Sequence, residues 1–516
     1  VGENVMAPSV PEAPTAPRPG DLTEQLIATD VWPDHLLAEA GIPVVDVPLV
    51  TVGGGIGSFV TVDYLRICGV PTHAIRVLTP LRTPWESYEY LTTVSQVPRS
   101  ERLRSDSASM PDNIWGFPSY GLREGLSGHP EVLWQLLVEP VFHHYYTPRA
   151  GDVFDAMQRE MRRIRYPEMV VHGQVRMVRR RLGGGYFTIL TPPEGAAPTR
   201  RIAYRSQWVH LAVGYPGLKF LDDLQRYRSQ FNDYAHVVNA YEPHEQVYQR
   251  LHRRPGTVLV RGGGIVASRV LQRLIDDRDG RGLQTQVVHL FRTYVDRPHG
   301  TGLRKRRRGA DGWAYQGFNY PKSVWGGQLK QQVRRSEGQD RARLYKEMGG
   351  TNTPVRRNWQ EQLRRGRAQG WYRVVVGEID AMRPVGDLVE VTVASDKGPQ
   401  VGTFDAVIDC TGLEADIREH RVLADLLDHS GAGRNPVGRL DVERDFEVRG
   451  TRNGGRVYAS GSATLGGYFP GVDTFLGLQI AAQEIADDLA RQGFCRRLTP
   501  GRSTSQWWKW MRNTQI

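Results

Sequence analysis

Leu49-Val50-Thr51-Val52-Gly53-Gly54-Gly55-Ile56-Gly57-Ser58-Phe59-Val60 is a short apolar run that breaks into glycines and resumes as an apolar-periodic segment through Leu65. A strand, a tight turn and a helix in direct succession have this pattern. Gly53 can take the turn, Gly55 lets a phosphate-bearing ligand approach the backbone, and Ser58 is small enough for the helix to pack on the strand. The free N–H groups of the helix start then face a pyrophosphate. Any glycine-rich loop before a helix imitates this pattern, but here a second copy follows about two hundred residues later, Thr257-Val258-Leu259-Val260-Arg261-Gly262-Gly263-Gly264-Ile265-Val266-Ala267-Ser268.

The chain has 516 residues, too long for one ordinary core, so two or three domains or one large two-nucleotide architecture are expected. Forty per cent hydrophobic residues and 56 glycines suit a globular α/β protein. No apolar run approaches the roughly 18 residues of a membrane span. Val1 to Gly20 is rich in Pro and Ala and lacks the basic and apolar regions of a signal peptide, so it reads as a disordered arm of a cytoplasmic protein. Cys68, Cys410 and Cys495 stand far apart and form no CxxC or Cys/His cluster. That points to a buried apolar role for each, and away from disulfides and metal ligation. The net charge of +11 is carried largely by arginine, dense at Arg162 to Arg165, Arg179 to Arg181 and Arg304 to Arg308. Such basicity suits anionic cofactors, an acidic electron-transfer partner or nucleic acid, and nucleic acid ranks last because no zinc or aromatic spacing motif supports it.

Taken in order, Asp21 to Ala40 predicts a short lead-in helix. Strand one is expected over Val47 to Val52, helix one over Ser58 to Cys68 and strand two over Ala74 to Leu78. Most dinucleotide folds end that second strand in an acid that binds the adenosine ribose. Here the chain reads Leu78-Thr79-Pro80, so either Thr79 and Arg82 replace the acid or the site has changed its ligand. Arg82 to Arg123 shows no regular period and reads as a functional insertion or a surface excursion pinned by Trp115 and Phe117. Thr147 to Ile164 predicts an amphipathic helix with Val153, Phe154, Met157 and Met161 on one face. Met169 to Val178 and Tyr186 to Leu190 predict a β-meander joined through Gly183-Gly184-Gly185. The second fingerprint helix is expected over Val266 to Asp276, and its strand Gln286 to Phe291 ends at Arg292, a cation that suits a 2′-phosphate unless it merely caps the strand in solvent. Trp371 to Val376 and Val389 to Ala394 read as paired strands.

Several landmarks resemble those of two-dinucleotide flavoproteins, in particular flavin-containing monooxygenases and the related microbial amine N-hydroxylases. Ala212-Val213-Gly214-Tyr215-Pro216 looks like the Ala-Thr-Gly strand and Tyr-Pro that close the first part of their FAD domain. Phe404-Asp405-Ala406-Val407-Ile408-Asp409-Cys410-Thr411-Gly412 looks like the strand that returns to it. Phe231 to His236 is similar to a degraded Phe-x-Gly-x-x-x-His signature, with Asp233 at the glycine. Gly455 to Ala463, Gly466 to Gly471 and a helix over Thr474 to Arg491 resemble the closing FAD segment, with Ser462 where many relatives have an acid.

The resemblance implies an α/β fold with two Rossmann-like dinucleotide-binding domains, the FAD domain split by an inserted NADPH domain, with β-meander connections. Its expected boundaries are 1–40 for the arm and lead-in helix, 41–220 and 401–495 for the FAD domain, 221–400 for the NADPH domain, and 496–516 for an aromatic tail. FAD would lie against Gly53, Gly55, Gly57, Ser58, Thr79, Ala212, Gly214, Thr411, Gly412, Gly461, Ser462 and Leu476; NADPH against Gly262, Gly264, Ala267, Ser268 and Arg292. Pocket candidates are Ser105, Asp106, Trp115, Asn319 and Lys322; Asp106 suits a cationic amine or, equally, a turn or helix cap. The implied reaction is NADPH-dependent oxygen transfer through a flavin hydroperoxide to an amine or similar small nucleophile, with no catalytic triad required. Two rivals stand beside it: a reductase passing electrons to an acidic carrier such as ferredoxin, and a flavin-binding interaction protein whose NADPH site has decayed. Trp507-Trp508-Lys509-Trp510 is expected to pack against its own domain or a second copy.

Overall fold

Every residue of the strand Leu49–Val52 is buried. Leu49 enters one hydrophobic core and Val50 and Val52 another. A strand covered on both faces belongs in the interior of a parallel sheet, and that is its place. A computed structural model of the chain describes residues 19–102, 117–142, 146–197, 200–215, 217–298, 300, 309–315, 327–348, 357–412 and 416–516. In it, Leu49–Val52 is the middle strand of a five-stranded parallel sheet, flanked by Trp208–Leu211 and Arg456–Ala459 on one side and by Ile75–Thr79 and Val170–His172 on the other.

A second five-stranded parallel sheet repeats the plan. Thr257–Arg261 is central, with Ala406–Asp409 and Val237–Asn239 on one side and Gln286–Phe291 and Tyr372–Val376 on the other. Val258 and Val260 face one core while Leu259 faces another. Two further sheets lie beside these: a five-stranded mixed sheet, in which the antiparallel strands Gln174–Arg181, Tyr186–Thr191 and Ile202–Ser206 are flanked by the parallel edge strands Val31–Trp32 and Val44–Asp46, and a smaller antiparallel one of Glu378–Val385, Leu388–Ala394 and Gln400–Phe404. The helix Phe475–Arg491 returns to the first unit and packs on the helix Ile56–Ile67, where the Gln479 amide donates to the Tyr64 hydroxyl at 3.0 Å.

Several expectations are corrected. The lead-in segment is two short helices, Glu24–Ala28 and Asp34–Glu39, separated by the strand Val31–Trp32; Thr29, extended at ψ 127°, ends the first helix and Pro33, extended at ψ 152°, starts the second. The region after Arg82 is not structureless, since Glu86–Val94 and Phe117–Leu126 are helical, and Pro130–Phe142 follows them. The 169–178 segment divides at Gly173, whose φ of 152° lets Val170–His172 join the first sheet before the hairpin begins. Tyr372–Val376 and Leu388–Ala394 do not pair with each other: the first completes the second parallel sheet, the second is the middle of the antiparallel unit. The strand before Thr411-Gly412 lies in the second sheet, so the chain regains the first sheet only at Arg456–Ala459. The aromatic tail is part of the helix Pro500–Met511; Trp510 is buried with Arg123 and Arg159 over its ring, and Arg159 donates to its carbonyl at 2.6 Å. The arm before residue 19 and Arg304 to Arg308 lie outside the described residues. Among the described residues, no helix is long and apolar enough to cross a membrane and no three His, Cys, Asp or Glu side chains group as metal ligands.

A buried polar chain fastens the first sheet. Thr51 and His210 are direct neighbours in the parallel register. The Thr51 hydroxyl bonds Ser58 Oγ at 2.7 Å and His210 Nδ1 at 3.0 Å, and His210 Nε2 bonds Ser460 Oγ at 2.9 Å. Burial pushes the His210 imidazolium down to about 3, so the folded ring is neutral. A histidine whose folded pKa lies below its unfolded value binds more protons when unfolded. Its contribution is therefore full above about pH 6.5 and is lost as pH falls towards the folded value. We expect His210→Gln, which lacks this titration, to lose less stability than the unsubstituted chain between pH 7 and pH 5, by roughly 2 kcal/mol in urea unfolding. A second constraint is Arg179, whose side chain is fully buried against Asp425 at 2.7 Å and also donates to the carbonyls of Ile27 and Thr29. Asp425→Ala leaves that cation uncompensated and should cost about 3–5 kcal/mol on the same measure.

Candidate functional site

The two glycine turns face the carboxyl ends of their sheets, where ligands of open α/β sheets bind. Gly53 has φ 86°, and a Cβ there would collide with the carbonyl oxygen of Ala212 and stand 3.0 Å from its carbon. At Gly54 a Cβ would meet the Thr79 side chain at 2.6 Å. Gly57 lies under the helix Phe475–Arg491, with Leu478 Cδ2 at 3.2 Å from the position of a Cβ. Gly55, by contrast, opens onto space: nothing stands within 4 Å of a Cβ. It is the N-cap of Ile56–Ile67, and no side chain caps that helix. The orphan N–H groups of the first turn therefore point, with the positive end of the helix dipole, into an open cradle of the kind that receives a phosphate.

The second turn has the same design. Gly262, at φ 126°, approaches Cys410, and Gly264 is an N-cap without a side-chain cap and with no atom within 4 Å of a Cβ. Ala267 and Ser268 are fully buried in the first turns of Ile265–Arg281, and the Ser268 hydroxyl donates to the Ile265 carbonyl at 2.7 Å. Arg292 follows the strand Gln286–Phe291 and is exposed at its carboxyl end.

The expected cofactor residues divide between these two cradles. Ala212 donates its N–H to the Val52 carbonyl at 2.9 Å, which aligns the Ala212–Gly214 turn beside Gly53. The Ser462 hydroxyl donates to the Gly214 carbonyl at 2.7 Å, joining that turn to the 3-10 turn Gly461–Thr464. Leu476 is buried in the first turn of its helix, where the Thr474 hydroxyl accepts from the Gly477 N–H at 3.1 Å. Thr79 is buried against Gly54 and its hydroxyl accepts from the Leu81 N–H at 3.0 Å. Thr411 and Gly412 stand at the second cradle: the register that pairs Val52 with Leu211 in the first sheet pairs Arg261 with Asp409 in the second. Cys410-Thr411-Gly412 thus takes the place there that Ala212-Val213-Gly214 takes in the first. His236 bonds Asp233 at 3.0 Å within a turn. Ser105, Asp106, Trp115, Asn319 and Lys322 lie outside the described residues.

Sequence reasoning missed the hydroxyl–imidazole chain below the first turn and an acid beside the second. The signal for the chain was a polar residue at the centre of each of two apolar runs, Thr51 and His210. Asp409 is buried; its Oδ1 accepts from the Thr411 N–H at 3.1 Å and hydroxyl at 2.8 Å, and desolvation pushes its carboxyl up to about 6.

No protein-family model matches the chain, and no curated protein matches it. Solved structures do. An ornithine hydroxylase from Pseudomonas aeruginosa is similar over 87% of this chain and 99% of its own, with a TM-score of 0.61 at 16% identity. An ornithine N-hydroxylase from Kutzneria sp. 744, in a complex with reduced FAD, NADP+ and L-ornithine, is similar over 87% of this chain and 100% of its own, with a TM-score of 0.61 at 15% identity. The cadaverine monooxygenase of desferrioxamine biosynthesis from Erwinia amylovora, solved with FAD, is similar over 87% and 96%, with a TM-score of 0.60 at 12% identity. At these identities the likeness is one of fold, and it extends over nearly the whole of each neighbour: the chain has the two-domain Rossmann-type architecture of these monooxygenases.

Proposed function

We propose that the chain is an FAD- and NADPH-dependent monooxygenase that hydroxylates the nitrogen of an aliphatic amine. The observation that carries the reading is the unit built twice, an uncapped helix start opening at Gly55 and again at Gly264, in a fold shared with amine N-hydroxylases. FAD is assigned to the first cradle because the late segments Arg456–Ala459 and Phe475–Arg491 return to that sheet. Its pyrophosphate would rest on the N–H groups after Gly55, and the helix start at Phe475 and Leu476 would face the flavin ring, where the dipole favours negative charge. NADPH would take the second cradle, its 2′-phosphate on Arg292.

Bound FAD, once reduced by NADPH, supplies the transfer of one oxygen atom from O2 to a nucleophilic nitrogen. The protein's own work is positioning and exclusion of water. Asp106 would pair with a cationic amine, with Ser105, Trp115, Asn319 and Lys322 as the other proposed pocket residues. The buried Thr51–His210–Ser460 chain holds the strands that carry the first turn, and its neutral imidazole adds no positive charge there.

The test is an NADPH oxidation and oxygen-uptake assay on purified protein. Bound flavin and oxygen uptake stimulated by ornithine, lysine or cadaverine are expected. Turnover that needs an acidic carrier such as ferredoxin would instead establish the reductase reading, and protein isolated and reconstituted without flavin would overturn the proposal at its first step. Arg292→Ala should raise KM for NADPH about tenfold or more, the worth of a charge-assisted bond, and leave KM for NADH nearly unchanged.

A further inference from the structure

Cys68 and Cys495, distant in sequence and each expected to have only an apolar role, meet in space. Cys68 is the buried C-cap of Ile56–Ile67, and Cys495 follows Phe475–Arg491 and is partly exposed. The Arg496 N–H donates to the Cys68 carbonyl at 3.0 Å, so the two backbones abut. Cys68 belongs to the core cluster against which Cys495 packs, and the neighbouring Cys68 thiol lowers the Cys495 pKa more than partial burial raises it. Cys495 Sγ also lies 3.4 Å from the Ala486 carbonyl. Cys410, the remaining cysteine, is buried in the second unit's core, and burial pushes its thiol up.

A partly exposed thiol of lowered pKa beside a buried thiol is the arrangement of an attacking and a resolving cysteine. We infer that Cys68 and Cys495 form a peroxide-responsive dithiol that closes to a disulfide and staples the first fingerprint helix to the C-terminal segment. The Cys495 thiolate attacks one oxygen of hydrogen peroxide; the O–O bond breaks, and the departing hydroxide takes a proton to become water. Cys495 is now a sulfenic acid. The Cys68 sulfur displaces its hydroxyl, the S–O bond breaks as the S–S bond forms, and the Cys68 proton leaves with that hydroxyl as a second water. Two thiols have lost two electrons and peroxide has gained them. The staple sits at the far end of a 12-residue helix, about 18 Å from the Gly55 cradle, so it braces that helix without touching a bound nucleotide. The inference is independent of the proposed function.

The experiment treats the full chain, native and reduced, with a few equivalents of hydrogen peroxide, quenches with catalase, then denatures, alkylates and digests it without reductant. Mass spectrometry is expected to show a loss of about 2 Da, one alkylated cysteine, Cys410, in place of all three, and a dithiothreitol-sensitive peptide pair joining Cys68 to Cys495. Cys68→Ser should convert the outcome to sulfinic or sulfonic acid on Cys495, and Cys495→Ser should leave Cys68 reduced at the same dose. Three alkylated cysteines after peroxide, over-oxidised Cys495 in the unsubstituted chain without the linked pair, or only disulfides between chains would each overturn the inference. These three readouts need no variant to fold.

Discussion

At Gly53 the chain leaves its strand and crosses the end of the next one with no room for a side chain: a Cβ would strike the Ala212 carbonyl. The left-handed φ of 86° adds a second reason for glycine. The crossing is held from both sides, since the Gly53 N–H donates to the Leu78 carbonyl and the Ala212 N–H to that of Val52, each at 2.9 Å. Three strands therefore converge on one peptide unit. The direction of the helix beginning at Gly55 follows from that convergence, and so does the seat of Phe475–Arg491, whose Leu478 lies on Gly57. The open cradle at Gly55 exists because the positions around it are closed.

The second unit meets the same constraint less tightly, with Gly262 at φ 126° and Cys410 at ordinary contact distance. Each turn is supported by a neutral, buried imidazole. His210 is bracketed by Thr51 and Ser460; His289 donates through Nε2 to the Gly262 carbonyl at 2.6 Å, which leaves Nδ1 to accept from the Tyr372 hydroxyl at 2.8 Å. Burial holds His289 down to about 4, as it holds His210 to about 3. A neutral ring can support backbone without placing a charge under it, so the field at each helix start is set by the peptide dipoles and by whatever anion they receive.

Much of this was legible because it is local. An apolar run, glycines and a resumed 3.6-residue period determine strand, turn and helix within a dozen residues, and the two copies located both sheet centres. What required the fold was pairing. Nothing in Val389 to Ala394 distinguishes an antiparallel partner on either side, so its assignment to Trp371 to Val376 failed, and the strand before Thr411 reads alike whether it closes the second sheet or reopens the first. Gly173 divides a continuous-looking β segment through a single dihedral. The helix Glu86–Val94 has only Val94 fully buried, and its other apolar residues are split, Tyr88 packing on one core and Leu91 on another, so its stripe is short and interrupted by polar residues. The meeting of Cys68 with Cys495 depends on the packing of two helices from opposite ends of the chain, which spacing cannot encode.

The arginines carry the last step. Two of the three dense stretches are within the described residues, and much of their charge is paired within the chain, part of it in the interior and part at the surface. Arg163 is fully buried and bonds Glu160 through Nε at 2.9 Å, Arg165 pairs with Glu168, Arg179 with Asp425 and Arg181 with Asp34. A planar fork with five donors can satisfy a carboxylate and two backbone carbonyls at once, as Arg179 does with Asp425, Ile27 and Thr29, which an ammonium on a flexible stem does poorly. The count of basic residues thus overstates the field available to an acidic protein partner in these stretches. Arg292, exposed at the end of the strand next to the second glycine turn, is free of such pairing among the described residues in the proposed nucleotide site, and under that proposal the charge argument moves from protein docking to nucleotide binding.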